Sequence, residues 1–258
     1  MAALLDVHIV YRVTRYLADQ QLSAERACLS ADEEARAAQF AFADDRRDFI
    51  AAHALLRQTL SAHAPRDPSA WTFSQGPYGK PVLADGSDER TALTFNLSHT
   101  RGLVACVVSR NVDVGIDVER TSQSADALDV ARDRFSSREV RSLEECDHAA
   151  RSARFTELWT LKEAYAKAKG TGVLGGMDVC TFTLGPTDSL CCDVVDRGGP
   201  DAWLFAVFGV LDYRLAVAVH DPEKRCGALS VRHARERNGG DERQMRLLRR
   251  SKSVVVTD

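Results

Sequence analysis

The chain is short of several things, and each shortage removes a class of protein. No stretch of its 258 residues approaches the roughly 20 apolar residues of a membrane-spanning helix. Its first twenty residues are broken by Asp6, Arg12 and Arg15 and hold no signal-peptide core. The seven cysteines are odd in number and, apart from Cys191 and Cys192, scattered, with no CxxC pair. That speaks against a disulfide framework and against structural zinc. These absences point to a reducing, cytoplasmic compartment and to no membrane association. A net charge of −3 gives no overall case for nucleic-acid binding. Lysine is the scarcest charged residue. Only Lys80, Lys162, Lys167, Lys169, Lys224 and Lys252 stand among 34 basic residues, and the rest are arginine.

What is present suits a folded protein, with 45% hydrophobic and 28% charged residues. Residues 223–258 hold ten basic residues against five acids, a net of +5, which leaves −8 for residues 1–222. The tail contains Asn238-Gly239-Gly240 and no sustained apolar pattern, and reads as a basic, solvated, mostly disordered extension, with a basic arm that meets an acidic partner as the alternative.

Residues 1–222 read as two rounds of similar organisation. The first, residues 1–113, opens with a strand at Val7–Val13 and a helix capped by Ser30 and Glu33. A second helix over Asp44–Ala62, a turn at Gly76–Gly79 and strands at Leu93–Leu97 and Leu103–Ser109 follow. A further strand, Val112–Val118, crosses into the second round, residues 114–222. This continues with helices at Ser124–Arg134, Ser137–Glu145 and Ala149–Lys169, the last stopped by Gly170. Strands at Val179–Leu184, Trp203–Val210 and Arg214–Val219 end it. The spacing therefore predicts an α+β architecture built twice.

Four segments carry chemistry. In Gly115-Ile116-Asp117-Val118-Glu119, strand alternation puts Asp117 and Glu119 on one face, where paired carboxylates suit a hard divalent cation. A strand ending in solvent would read the same. In the helix from Trp159 to Gly170, Glu163 and Lys167 lie one turn apart, as a metal carboxylate beside a phosphate-binding lysine or as a plain surface ion pair. Asn96-Leu97-Ser98-His99 runs from a strand into a polar turn and could offer His99 to a phosphate. Gly79-Lys80-Pro81 is a turn that could present Lys80 to an anion.

Together and in this order, these segments resemble the 4′-phosphopantetheinyl transferases of the larger, surfactin-synthetase-activating type. The resemblance rests on GKP at 79–81, N-x-S-H at 96–99, G-I-D-x-E at 115–119 and W-x-x-K-E-A-x-x-K-x-x-G-x-G at 159–172. It implies a monomeric intramolecular pseudo-dimer of two similar α+β halves, with coenzyme A and Mg²⁺ at the cleft between them. It implies transfer of phosphopantetheine to a serine of an apo carrier protein, with release of adenosine 3′,5′-bisphosphate. Carried over by position, Asp117, Glu119 and Glu163 would be the metal carboxylates, and Glu163 would also take the serine proton. Lys167, with Lys162 beside it, would hold the coenzyme A phosphates. His99 and Ser98 would line the same site. Lys80 would approach the nucleotide, and Arg36, with Arg47 as the weaker candidate, would bind the 3′-phosphate. Thr100 departs from the residue common after the histidine, with no consequence expected. Apart from the resemblance, Arg132, Arg134, Arg138 and Arg141 lie between the metal strand and the lysine helix and read either as a carrier-docking surface or as scattered solvated arginines. The alternatives are a non-catalytic coenzyme A-binding relative and a metal-dependent nuclease. The nuclease would want a lysine where Thr121 stands.

Overall fold

Val7, Ile9, Tyr11 and Val13 alternate along β1 (Leu5–Val13), and all four are buried on one face. The computed structural model describes residues 5–84, 92–121, 127–171, 180–186, 188–194, 199–223, 226–233, 245–251 and 256–257. The first half continues through helices α1 (Asp19–Arg26), α2 (Ala31–Ala38) and α3 (Ala43–His63). At the start of α2, Ser30 and Glu33 bond each other's backbone N–H, as their spacing predicts. A small hairpin of β2 (Phe73–Gln75) and β3 (Pro81–Leu83) follows, then β4 (Leu93–Thr100) and β5 (Leu103–Arg110).

The second half begins with β6 (Asp113–Arg120). It continues through α4 (Ala127–Arg134), α5 (Ser137–Glu144) and α6 (His148–Lys169). The hairpin β7 (Cys180–Leu184) and β8 (Leu190–Val194) comes next, then β9 (Trp203–Val210) and β10 (Tyr213–His220). The expected positions of Ser124 and Val179, and Gly172 of the last motif, lie outside the described residues.

Two sheets face each other across a core that neither half could close alone. It takes Val7, Ile9, Leu103 and Val107 from one sheet and Ile116, Phe208, Leu215 and Val217 from the other. On the outer face of the first sheet lies α3, through Leu55, Leu56 and Leu60. On the outer face of the second lies α6, through Leu158, Leu161 and Tyr165. The doubled α+β arrangement is thus helix, sheet, sheet, helix. Where β4 meets β6 the sheets remain separate, and side chains link them. Asn96 Oδ1 accepts from the Ile116 N–H at 2.9 Å and Ser98 Oγ from the Val118 N–H at 3.3 Å. No described helix is long and apolar enough to cross a membrane.

The tail differs from its sequence reading. Its described parts are not a solvated extension: β11 (Cys226–His233) pairs parallel with β1, and β12 (Arg246–Arg250) antiparallel with β9. β13 (Val256–Thr257) returns to pair with β11. Both β1 and β9 have an edge that these strands cover, and Met245, Leu247 and Val256 pack against the inter-sheet core. The basic charge also finds partners: Arg249 Nε donates to Glu157 at 2.6 Å and Arg250 Nε to Asp188 at 3.3 Å. Asn238-Gly239-Gly240 lies outside the described residues.

Candidate active site

On β6 the strand period decides which side chains reach the site. Val114, Ile116 and Val118 enter the inter-sheet core, so Gly115, Asp117 and Glu119 face α6. Any side chain at 115 would collide with the Ala164 carbonyl oxygen and the Ala168 amide, so the helix rests directly on the strand. That contact brings the last turns of α6, with Glu163 and Lys167, over the carboxylates.

Three polar side chains then lock together. Lys167 Nζ donates to Asp117 Oδ1 at 2.6 Å and to Ser98 Oγ at 3.0 Å, and Ser98 Oγ donates to Asp117 Oδ1 at 3.0 Å. Asp117 is 4% exposed, and its Oδ2 is buried without a hydrogen-bond partner among the described residues. Around this knot is an open cleft of about 400 Å³, lined by Leu97, Ser98, His99, Asp117, Glu119, Trp159, Glu163 and Lys167. The three carboxylates are not drawn into a closed shell. Among the described residues, no three His, Cys, Asp or Glu side chains gather closely enough to hold an ion as they stand.

The crowding shows in the acidities. Burial, with Asp117 and Glu163 adding their charge, pushes Glu119 up to about 7, against the pull of Lys167 and a hydrogen bond with Thr100. Thr100 therefore touches the site through its hydroxyl, a group that serine would supply as well. Burial and Asp117 also raise Glu163, while Lys167 opposes them. Surrounding protein lowers His99, with Lys167 acting the same way and Asp48 opposing, although part of the ring faces solvent.

The cleft gathers Ser98, His99, Asp117, Glu119, Glu163 and Lys167, all expected there. It does not gather the others. Lys162 is fully buried, paired with the equally buried Glu139 at 3.0 Å and donating to the Cys180 carbonyl at 2.7 Å. It therefore cannot touch coenzyme A in this arrangement. It faces α5 and β7, where Phe135 and Phe182 pack over its ammonium. Lys80 is not a lining residue; its Nζ donates to the Lys167 carbonyl at 2.7 Å and to the Val114 carbonyl at 3.4 Å. Arg36 is exposed on α2 with its guanidinium over the Phe49 ring, and Arg47 bonds Asp44. Three of the four arginines read as a docking surface are already paired: Arg132 with Asp129 and Glu144, Arg134 with Asp133, and Arg138 with Asp193.

Trp159 and Leu97 are the lining residues to which the sequence reading gave no role. Trp159 was legible as one turn before Glu163 on the same helix face, and its ring stacks on Phe155 at 5.9 Å. Leu97 carried no signal beyond its place between Asn96 and Ser98.

Comparison with known sequences converges on one family. Residues 113–218 match the 4′-phosphopantetheinyl transferase superfamily, and residues 18–111 match the family described as 4′-phosphopantetheinyl transferase, N-terminal. The chain is 34% identical over 183 residues to the 4′-phosphopantetheinyl transferase HetI of Nostoc sp., covering 71% of this chain and 76% of the relative. It is 27% identical to the 4′-phosphopantetheinyl transferase Sfp of Bacillus subtilis, covering 67% and 74%. It is 25% identical to the mouse L-aminoadipate-semialdehyde dehydrogenase-phosphopantetheinyl transferase, covering 74% and 67%. The matched spans divide where β6 begins, and the second contains the whole strand and helix that meet at Asp117 and Lys167. With motifs, doubled fold and relatives in agreement, the chain belongs to the 4′-phosphopantetheinyl transferases.

Proposed function

We propose that the cleft at the seam is where this chain transfers the 4′-phosphopantetheine group of coenzyme A to a serine hydroxyl of an apo carrier protein. The observation that carries the reading is the Lys167–Asp117–Ser98 knot beside two carboxylates of raised pKa, at the mouth of an open cleft. The serine oxygen attacks the phosphorus that bears pantetheine. The bond from that phosphorus to the bridging oxygen breaks, and adenosine 3′,5′-bisphosphate leaves.

Such a transfer needs positive charge on the phosphates and an acceptor for one proton. Lys167 supplies the first from α6, and His99 donates a hydrogen bond from the end of β4. Glu163, lining the cleft one turn from Lys167 on α6, accepts the serine proton. Arg36, exposed on α2, is assigned the 3′-phosphate. The donor set of Asp117, Glu119 and Glu163 consists of hard oxygens, and the unpartnered Asp117 Oδ2 fits a cation. These three residues would hold Mg²⁺, which would supply further positive charge against the phosphates. Because both halves wall the cleft within one chain, the chain acts in this reading as a monomer, and the reaction is placed in the cytoplasm.

The test is release of adenosine 3′,5′-bisphosphate from coenzyme A. Release should require a divalent cation and an apo carrier protein, and should stop when the carrier's serine is replaced by alanine. Glu163→Gln should keep its affinity for coenzyme A and lose about 10²–10⁴-fold in turnover. Turnover near that of the unmodified chain would remove the proton-accepting role.

A further inference from the structure

We infer that Lys80 is a positioning residue: it clamps the crossing of α6 on β6 and so holds Lys167 against Asp117. The inference rests on the reading of the cleft given above.

Three elements meet at the Lys80 ammonium. The turn at Pro77–Gly79, with Tyr78 and Gly79 both at positive φ, delivers Lys80 from the hairpin of the first half. Its Nζ bonds the carbonyl of Lys167 in the last turn of α6, which otherwise accepts only a 3.2 Å bond from the Gly170 N–H among the described residues. The same Nζ reaches the carbonyl of Val114, one residue before the glycine on which α6 rests. One ammonium thus ties together the helix that carries Glu163 and Lys167 and the strand that carries Asp117 and Glu119. A cation at a helix C-terminus also opposes the helix dipole. Burial lowers the Lys80 pKa, as expected of an ammonium committed to internal carbonyls, with Asp113 the facing charge that opposes the shift. The knot at Asp117 depends on the height of α6 above β6, and a displacement of about 1 Å at a reacting centre costs on the order of 10²-fold in rate.

Two readouts on the full chain test this. The first is hydrogen–deuterium exchange at the last turn of α6, residues 166–170, in the ligand-free protein. The second is the separation of kcat from the KM for coenzyme A. In Lys80→Met, exchange at that turn should accelerate on the order of tenfold. Its kcat should fall on the order of 10- to 100-fold, with KM for coenzyme A within about twofold. Lys80→Arg should recover part of both. If Lys80→Met does not fold, Lys80→Gln, which keeps one donor, is read the same way. A raised KM with kcat and exchange unchanged would overturn the inference in favour of a direct contact with coenzyme A. Unchanged exchange with any kinetic result would also overturn it. Exchange is read without turnover, so failure of the transferase reading would leave this result standing or falling by itself.

Discussion

Lys162 and Lys167 stand on one helix and meet different surroundings, one an ion pair in the protein interior, the other a carboxylate at a cleft. Nothing in W-x-x-K-E-A-x-x-K separates their roles. The difference arises because α5 and β7 pack over one side of α6, bringing Glu139 to Lys162, and such long-range packing leaves no local pattern. Lys162→Met should therefore cost on the order of 3–5 kcal/mol of stability, because Glu139 is left as an uncompensated buried charge. Denaturant unfolding should show this, and the double variant Lys162→Met/Glu139→Gln, which removes the charge but keeps an acceptor for the Ser136 or the Phe182 N–H group, should recover much of the loss. The KM for coenzyme A of whatever fraction folds should hardly change. Glu33 offers a second check at this scale. Burial would raise its pKa, but hydrogen bonds from His53, Arg57 and the Ser30 N–H prevail and hold it at about 2. Its folded value lies below its ordinary 4.5, so its contribution is complete above about pH 4.5 and is lost as pH falls toward 2. Glu33→Gln should flatten the acid limb of a stability-against-pH curve across that window.

Within β6 and within α6 the site was legible, while their meeting was implied only by the family resemblance. The strand period put Asp117 and Glu119 on one face, the helical turn put Glu163 near Lys167, and both hold. The depth of their contact was not legible. Gly115 opens the G-I-D-x-E motif, but nothing local says that its missing side chain makes room for the Ala164 carbonyl and the Ala168 amide against the strand. Gly115→Ala should force the helix outward and separate Lys167 from Asp117. Transferase activity should fall by about 100-fold or more, with a lowered Tm, while the far-ultraviolet circular dichroism stays near that of the unmodified chain. Ser98 at the end of β4 belongs to the same seam, since its hydroxyl serves both the Val118 N–H and Asp117. Ser98→Ala would remove both of these bonds and the one from Lys167 Nζ at once.

Across the whole molecule, the doubled halves were readable because each carries its own strand and helix periods. The tail was not. Its strands take their order from edges supplied by β1 and β9, far away in sequence, and a strand that completes an existing edge needs little alternation of its own. The chain crosses from the first sheet to the second and back, so the tail straps the halves whose seam forms the cleft. Truncation after Pro222 should bare two sheet edges and the Glu157 carboxylate, lower Tm by on the order of 10 °C and promote aggregation. Differential scanning calorimetry and light scattering would record both.

In the proposed reaction, Asp117 and the side chains around it carry the transfer of phosphopantetheine. Intact-protein mass spectrometry of an apo carrier protein, after incubation with coenzyme A, Mg²⁺ and this chain, tests it most directly. The carrier should gain the mass of one phosphopantetheine group with the unmodified chain and nothing with a folded Asp117→Ala variant. A carrier left at its apo mass by the unmodified chain, across several carrier classes, or one fully converted by Asp117→Ala, would contradict it.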